Sequence, residues 1–442
     1  MPLTPLVFFL SYCAAMIGTF RRPALGAFTY VLLVFIHPPT TWWGSYFGDV
    51  RWSLLTATTT LLASLLYSSD THDSISDGLT KIAYLGIFFF LCFLCVSLTW
   101  AIVESAQIEL IILYSKYFLL TILFVKLLKD GSIIKGFVFI YVSGAFILGS
   151  RAYGSHVGGR FEKFGSEGFN EANTAALALA IALFFAGTLF LTVKPLKRVA
   201  MLFPIAIIAN GFVSAGSRSG LLALVAGGVA YLWYCPRQFK RLVFPFALLA
   251  SLMVVILANN FFLSRMKSIA FLGADNVVVE SDFGSRKVDT GSSRVAIMKL
   301  QWKLFLNDPL GSGSRTLAAV APFYLPENLL TKTATGRATR SSHNTMLSFL
   351  VDHGIVGGAF YFGYLVWCWR SLVSLRQWGQ KVDNKFLQTL VPALAASMVA
   401  LEVSGIFINY VKLELRFWLI ALTIATLHVM RKESEAGAQL KS

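Results

Sequence analysis

From Pro2 to Met430 the chain returns repeatedly to apolar runs of about 15–25 residues, each long enough to approach or span the hydrocarbon core of a bilayer. A water-soluble domain has nowhere to bury so many. Composition agrees: 56% of the 442 residues are apolar and 14% charged, against about 45–50% and about 25% in an ordinary soluble domain. Phe alone occurs 38 times, against 22 Asp and Glu together. The runs lack the period-two alternation of an outer-membrane barrel. The expected fold is an all-α polytopic membrane protein of about 12 (12–13) transmembrane helices with one large, partly helical loop, which excludes a soluble enzyme, a disordered chain, a collagen and a disulfide scaffold.

The runs occupy roughly residues 3–19, 23–37, 52–67, 81–100, 108–125, 133–150, 172–193, 198–214, 219–234, 240–260, 345–369, 386–408 and 412–430. They divide the chain into an N-terminal bundle over 1–260, a hydrophilic segment over 261–344, and C-terminal spans with a short tail over 345–442. The net charge of +16 is no nucleic-acid footprint, because most Lys and Arg sit in short loops flanking the runs, as topology signals do. Loops at Lys126/Lys129/Lys135, Lys194/Lys197/Arg198, Arg237/Lys240/Arg241 and Arg370/Arg376/Lys381/Lys385, with the tail at Arg431-Lys432, fall on one side if the spans alternate. Cation-rich short loops mark that side as the cytoplasm. The run over 3–19 is followed rather than preceded by Arg21-Arg22, the reverse of a cleavable signal peptide, and is read as retained.

Cys13, Cys92, Cys95 and Cys368 lie inside apolar runs and Cys235 stands beside Pro236, so no disulfide framework is expected. Cys92 and Cys95 form a CxxC, but within FFFLCFLCVSL they read as one turn of a helix facing lipid or another helix.

The side opposite the basic loops receives the 150–171 loop, the short 216–219 turn and the 261–344 segment. The last carries 11 Lys and Arg against 6 Asp and Glu. Long loops cross the membrane regardless of charge, so the excess reflects either contact with anionic headgroups or a site for an anionic substrate. Lys332, Arg337, Arg340 and His343 accumulate just before the next span, with no acid from 328 to 351, which makes Arg337 and Arg340 candidate anion contacts. Earlier in the segment, Val295, Met298, Trp302 and Phe305 are spaced as one face of an interfacial helix, directed toward lipid or the bundle, with Ser293 as its cap and Asp308-Pro309 as its end. Arg294 then stands at the helix N-terminus, where free backbone N–H groups and the helix dipole favour an anion. GSGSR at 311–315 follows no strand and lacks GK[ST], and reads as a turn.

In SAGSRSG, 214–220, Arg218 stands between two apolar runs among residues small enough for close backbone approach. It either meets an anion or snorkels to headgroups. Its glycines have the spacing of a nucleophile elbow, but the central residue is Arg rather than Ser. His343, in SSHNTMLSFLVDHGIVGG, is the one His of the long segment, and a neutral imidazole there suits a general base. His353 could pair with it or cap a kink, while His37, His72, His156 and His428 have no metal-ligand spacing. Asp275, Glu280, Asp282 and Asp289 could hold Mg²⁺, yet Arg286 and Lys287 would compete for the same carboxylates; no metal and no cofactor is expected. In the 150–171 loop Arg151, Arg160 and Lys163 face Glu162, Glu167 and Glu171, a near-balance that suits a lid or a phosphate contact by Arg151 or Arg160.

The ordered trio of SAGSRSG, GSSRVAIMKLQWKLFLNDPLGSGS and SHNTMLSFLVDHGIVGG resembles the O-antigen ligase and polymerase superfamily, and RRPALGAFTYVLLVFIHPP near the N-terminus is similar to the O-glycosylation ligases within it. The resemblance covers most of the chain. It implies a glycosyltransferase of GT-C-like architecture in the inner membrane of a Gram-negative bacterium, multi-pass, with its active site facing the periplasm. It further implies an undecaprenyl-diphosphate-linked O-antigen as donor, lipid A-core as acceptor, membrane lipids as surroundings, and neither nucleotide nor nucleic acid. Residue by residue, the family's Arg in the small-residue turn falls on Arg218, its Arg opening the loop helix on Arg294, and its His before the next span on His343. Arg337 and Arg340 match no family position and rest on local charge.

The chemistry of these residue types fits that implication. Two Arg could stabilise the departing diphosphate bidentately without a metal. His343 would take the proton of the acceptor hydroxyl, and in-line attack would invert the anomeric centre. Ligation to lipid A-core is the expected activity, since the basic segment suits a phosphorylated core; polymerisation of repeat units and transfer to Ser or Thr of a protein are the alternatives within the superfamily. An organic-anion transporter would instead need charges at mid-depth and discontinuous helices, and within the spans Glu402 is the clearest charge.

Overall fold

The computed structural model describes residues 2–66, 78–152, 161, 169, 171–258, 262–263, 266, 278–281, 284–287, 291–332, 336 and 338–439. Each apolar run forms a helix: α1 (Leu3–Arg21), α2 (Ala24–Ile36), α3 (Trp52–Leu66), α4 (Gly78–Ser97), α5 (Glu104–Leu127), α6 (Gly131–Ser150), α7 (Ala172–Thr192), α8 (Pro195–Ala215), α9 (Arg218–Tyr234) and α10 (Arg237–Leu257) precede the long hydrophilic segment. That segment contributes α11 (Gly291–Asn307) and α12 (Thr316–Tyr324), with two short antiparallel ribbons, β1 (Val278–Ser281) with β2 (Gly284–Lys287) and β3 (Thr331–Lys332) with β4 (Ala338–Thr339). α13 (Thr345–Gly379), α14 (Lys385–Gly405) and α15 (Leu415–Gln439) complete the chain. Among the described residues nine helices are long and apolar enough to cross a membrane, while α2 and α3 are shorter apolar helices. The protein is an all-α polytopic membrane protein.

α7 is the hub. Its sequence is apolar all round, as a helix enclosed by others must be, and 94% of its apolar window is buried, against 11% for α1 at the rim. Its alanines allow close approach, and Gly227 brings α9 so near α14 that a Cβ there would lie 2.8 Å from the Ala396 carbonyl oxygen.

α13 is broken at Gly354, where φ is 60° and ψ −152°. The GSGSR loop fills the break: Ile355 N–H donates to the Pro309 carbonyl (2.8 Å) and Gly313 N–H to the Asp352 carbonyl (2.8 Å). A Cβ on Gly311 would come within 2.3 Å of Gly354 N, so only glycine permits the crossing. The expected turn is a structural junction.

α11 also differs from expectation. It begins at Gly291, so Ser293 lies within its first turn rather than at the cap. Its inward face is Ile297, Leu300 and Gln301, while Val295, Met298 and Trp302 point outward. Apolar residues occupy both faces, and periodicity alone could not tell which one meets the bundle.

One turn from the end of α14, Glu402 pairs with Arg416 of α15 (3.3 Å). Tyr361 O–H donates to the same carboxylate, and the guanidinium lies over the rings of Tyr361 and Tyr364, 5.5 and 5.0 Å from their centroids. Arg416 is 4% exposed, so removing only its partner would strand a buried cation. Glu402→Leu is expected to destabilise the protein by about 3–5 kcal/mol and Glu402→Leu/Arg416→Leu by much less. The measurement is thermal unfolding of detergent-solubilised protein; equal losses in both variants would show that the pair has no such role.

Candidate active site

At one end of the bundle a cavity of about 1340 Å³ opens. Its walls come from the end of α2 and the starts of α3, α5, α7 and α12, together with the connections that precede α13 and α15. In an alternating bundle these ends all lie opposite the basic loops. The mouth is polar, with Glu109, Arg315, His343, Lys412 and Glu414; below it Leu110, Leu113, Leu120 and Leu123 of α5 face Ala57 and Leu61 of α3. At about 1.5 Å per residue, the stretch from Leu110 to Leu123 gives a trough about 20 Å long, mostly apolar, with Lys116 and Tyr117 partway along it.

His343 lines the mouth because the chain around it is held from two sides. Asn344 caps α13, its Oδ1 accepting the Leu347 N–H (2.9 Å), while its Nδ2 donates to the Ile406 carbonyl (3.1 Å). Thr345 O–H donates to the Ile408 carbonyl (2.7 Å), and Gln301 Nε2 of α11 donates to Ser342 Oγ (2.9 Å). His353 does not join His343. It is fully buried, 5.5 Å from Phe90 ring centre to ring centre, at the break in α13.

Arg218 opens α9, behind the αL turn at Gly216. Its neighbour Ser217 caps the helix, accepting Gly220 N–H (3.0 Å) and donating to Asn173 Oδ1 (2.8 Å), and Asn173 lines the cavity. Arg294 lies in the first turn of α11, seven residues before Gln301, which also lines the cavity. A separation of seven returns to the same helical face. Neither Arg218 nor Arg294 is itself part of the wall; each stands next to a residue or face that is.

Arg340 is buried just before α13, and Arg151 caps α6, where burial lowers its pKa below the ordinary arginine value; neither lines the cavity. Arg160 and Arg337 lie outside the described residues, as do Lys163, Glu162, Glu167, His72, His156, Asp275, Asp282 and Asp289. Among the described residues no group of three or more His, Cys, Asp or Glu could hold a metal ion. Cys92 and Cys95 are free and face outward from α4.

Several wall residues escaped the sequence reading. Lys412 Nζ lies 2.8 Å from Glu109 Oε1, and Arg315 reaches the other oxygen at 3.5 Å. Glu414 Oε1 accepts the Tyr30 O–H (2.6 Å) and the Trp418 N–H (2.9 Å); burial raises its pKa above the ordinary glutamate value, against the pull of these two donors. Glu109 and both residues of the 406–414 connection had been absorbed into apolar runs. A charged residue at the first turn of a run was the available signal.

Nine apolar helices of membrane-spanning length among the described residues, with a cavity at one end of the bundle, make this a multi-pass membrane protein. The family model described as O-Antigen ligase matches residues 203–362, a stretch that contains Arg218, Arg294 and His343, and across it the resemblance to the O-antigen ligase and polymerase superfamily holds. No curated protein matches the chain. The matched family comprises membrane glycosyltransferase-like enzymes, ligases and polymerases acting on lipid-linked polysaccharides.

Proposed function

We propose that the protein transfers O-antigen from undecaprenyl diphosphate to lipid A-core on the periplasmic face of the inner membrane, completing lipopolysaccharide. The cavity is the observation that carries this reading: a trough about 20 Å long suits a lipid chain, and His343 stands at the polar mouth where the chain's head group would lie. Arg218 and Arg294 clamp the diphosphate, replacing a metal in charge stabilisation. His343 removes the acceptor proton, and inversion follows from in-line attack. Transport of an organic anion is less well supported. The break at Gly354 and the Glu402–Arg416 pair are features of the kind a transporter uses, but the pair neutralises itself one turn from a helix end.

Membranes of cells lacking the protein are expected to accumulate lipid-linked glycan and to lose glycan from lipid A-core. Loss from a protein instead, or shortened chains still joined to lipid A-core, would transfer the assignment to an oligosaccharyltransferase or a polymerase. Purified protein should keep its activity in excess EDTA; activity abolished by EDTA and restored by Mg²⁺ would implicate Asp275, Glu280, Asp282 and Asp289.

A further inference from the structure

The geometry points to a second oxyanion site in the cavity mouth, built from Arg315 and Lys412 with Glu109 as an internal competitor, that takes a phosphate group of a substrate. Arg315 is the first indication. Its φ of 62° and ψ of 23° are left-handed, a conformation that glycine takes freely and side chains resist. Its surroundings enforce the strain: the Asp352 carboxylate accepts the N–H groups of Arg315 (3.3 Å) and Thr316 (3.2 Å), and Gln107 Oε1 accepts the Ser314 N–H (2.9 Å). Stability does not explain why an arginine occupies such a position. Its ion pair with Glu109 joins side chains that are 58% and 53% exposed, and pairs so open to solvent contribute little. A strained residue that nothing in the fold rewards suggests function.

Lys412 is brought to the same place by different means. Tyr114 and Tyr117 of α5 donate to the carbonyls of Val411 (3.0 Å) and Lys412 (2.8 Å), fixing the connection so that Lys412 Nζ meets Glu109. One carboxylate is thus shared by a planar fork and a point charge, so Glu109 alone does not satisfy both cations. Of the nearby carboxylates, Glu414 holds Tyr30 and Trp418, while Asp352, accepting the N–H groups of Arg315 and Thr316, sits beside the site and adds a second negative charge. Asp49 and Glu171 belong to other parts of the wall, the α2–α3 connection and the residue before α7. An arriving phosphate would displace Glu109 and gain a bidentate Arg contact together with a Lys contact. The group could belong to the donor's diphosphate or to a phosphorylated acceptor; only this choice of source rests on the transfer reading.

The test uses full-length protein in detergent micelles, carrying Arg218→Ala/Arg294→Ala so that the proposed clamp is silent, titrated with inorganic pyrophosphate at fixed ionic strength. Residual binding should weaken about tenfold on adding Arg315→Gly or Lys412→Ala and strengthen severalfold on adding Glu109→Gln. Arg315→Gly should also raise the melting temperature, because glycine relieves the left-handed strain. Absence of residual binding, or binding indifferent to all three substitutions, would overturn the site, and a lower melting temperature in Arg315→Gly would overturn the strain argument. In otherwise wild-type protein, Arg315→Gly should raise the KM of one substrate in glycan transfer. A rise for the lipid-linked donor assigns the site to the diphosphate and a rise for the acceptor to its phosphate; no change in either would remove the site from transfer without touching the binding result.

Discussion

Alanine at position 343 is expected to lower glycan transfer about 10²–10⁴-fold, with folded protein recovered in normal amount. The two halves of this expectation have separate physical grounds. Activity falls because the acceptor hydroxyl loses the base that takes its proton. Folding survives because the segment is anchored by Asn344, Thr345 and Ser342, through their contacts with Leu347, Ile406, Ile408 and Gln301. The comparison is of transfer rates at saturating donor, with size-exclusion profiles of each variant alongside. Near-normal rates would remove His343 from the mechanism, and loss of monodisperse protein would make it a structural residue.

Arg218 and Arg294 are expected to act on one diphosphate. Each Arg→Ala should cost about 10²–10³-fold in transfer, the scale of losing a preorganised charge-stabilising donor. The double variant should lose far less than the product of the two, because residues serving one group are non-additive. Arg→Lys at either position keeps the charge but not the planar fork, and should still impair transfer substantially. Ser217 connects the start of α9 to Asn173 in the cavity wall, and Arg294 shares the face of α11 that carries Gln301. A double-mutant cycle on transfer rate is the measurement. Strictly multiplicative losses, or wild-type rates in both Lys variants, would mean that the two arginines serve different groups.

Much of this molecule was legible in one dimension. Helices formed wherever an apolar run was read, and the hydrophilic segment between α10 and α13 came where the runs stopped. Of the site, His343 lines the cavity wall, in the polar stretch Ser341-Ser342-His343-Asn344 that precedes α13. Arg218 and Arg294 came beside the wall rather than into it. The apolar stripe of α11 could have faced lipid or the bundle, and GSGSR read only as a turn; which neighbour claims each face was left open, because both elements have two faces and a sequence does not say which neighbour takes which.

The sequence by itself determined the class and the helices, since in a membrane the length and polarity of a run decide what it can be. Only the tertiary structure decided which charges meet. Glu402 was visible but its partner Arg416 was not, because the pair joins two helices. Lys412 and Glu109 are 303 positions apart in sequence and 2.8 Å apart in space. Arg315 acquires its strained backbone from Asp352, a residue of α13. Periodicity reports a residue's neighbours along its own helix, whereas the chemistry of this cavity depends on which helix ends converge, and that is set by the packing of α7, α9 and α14 at the centre of the bundle.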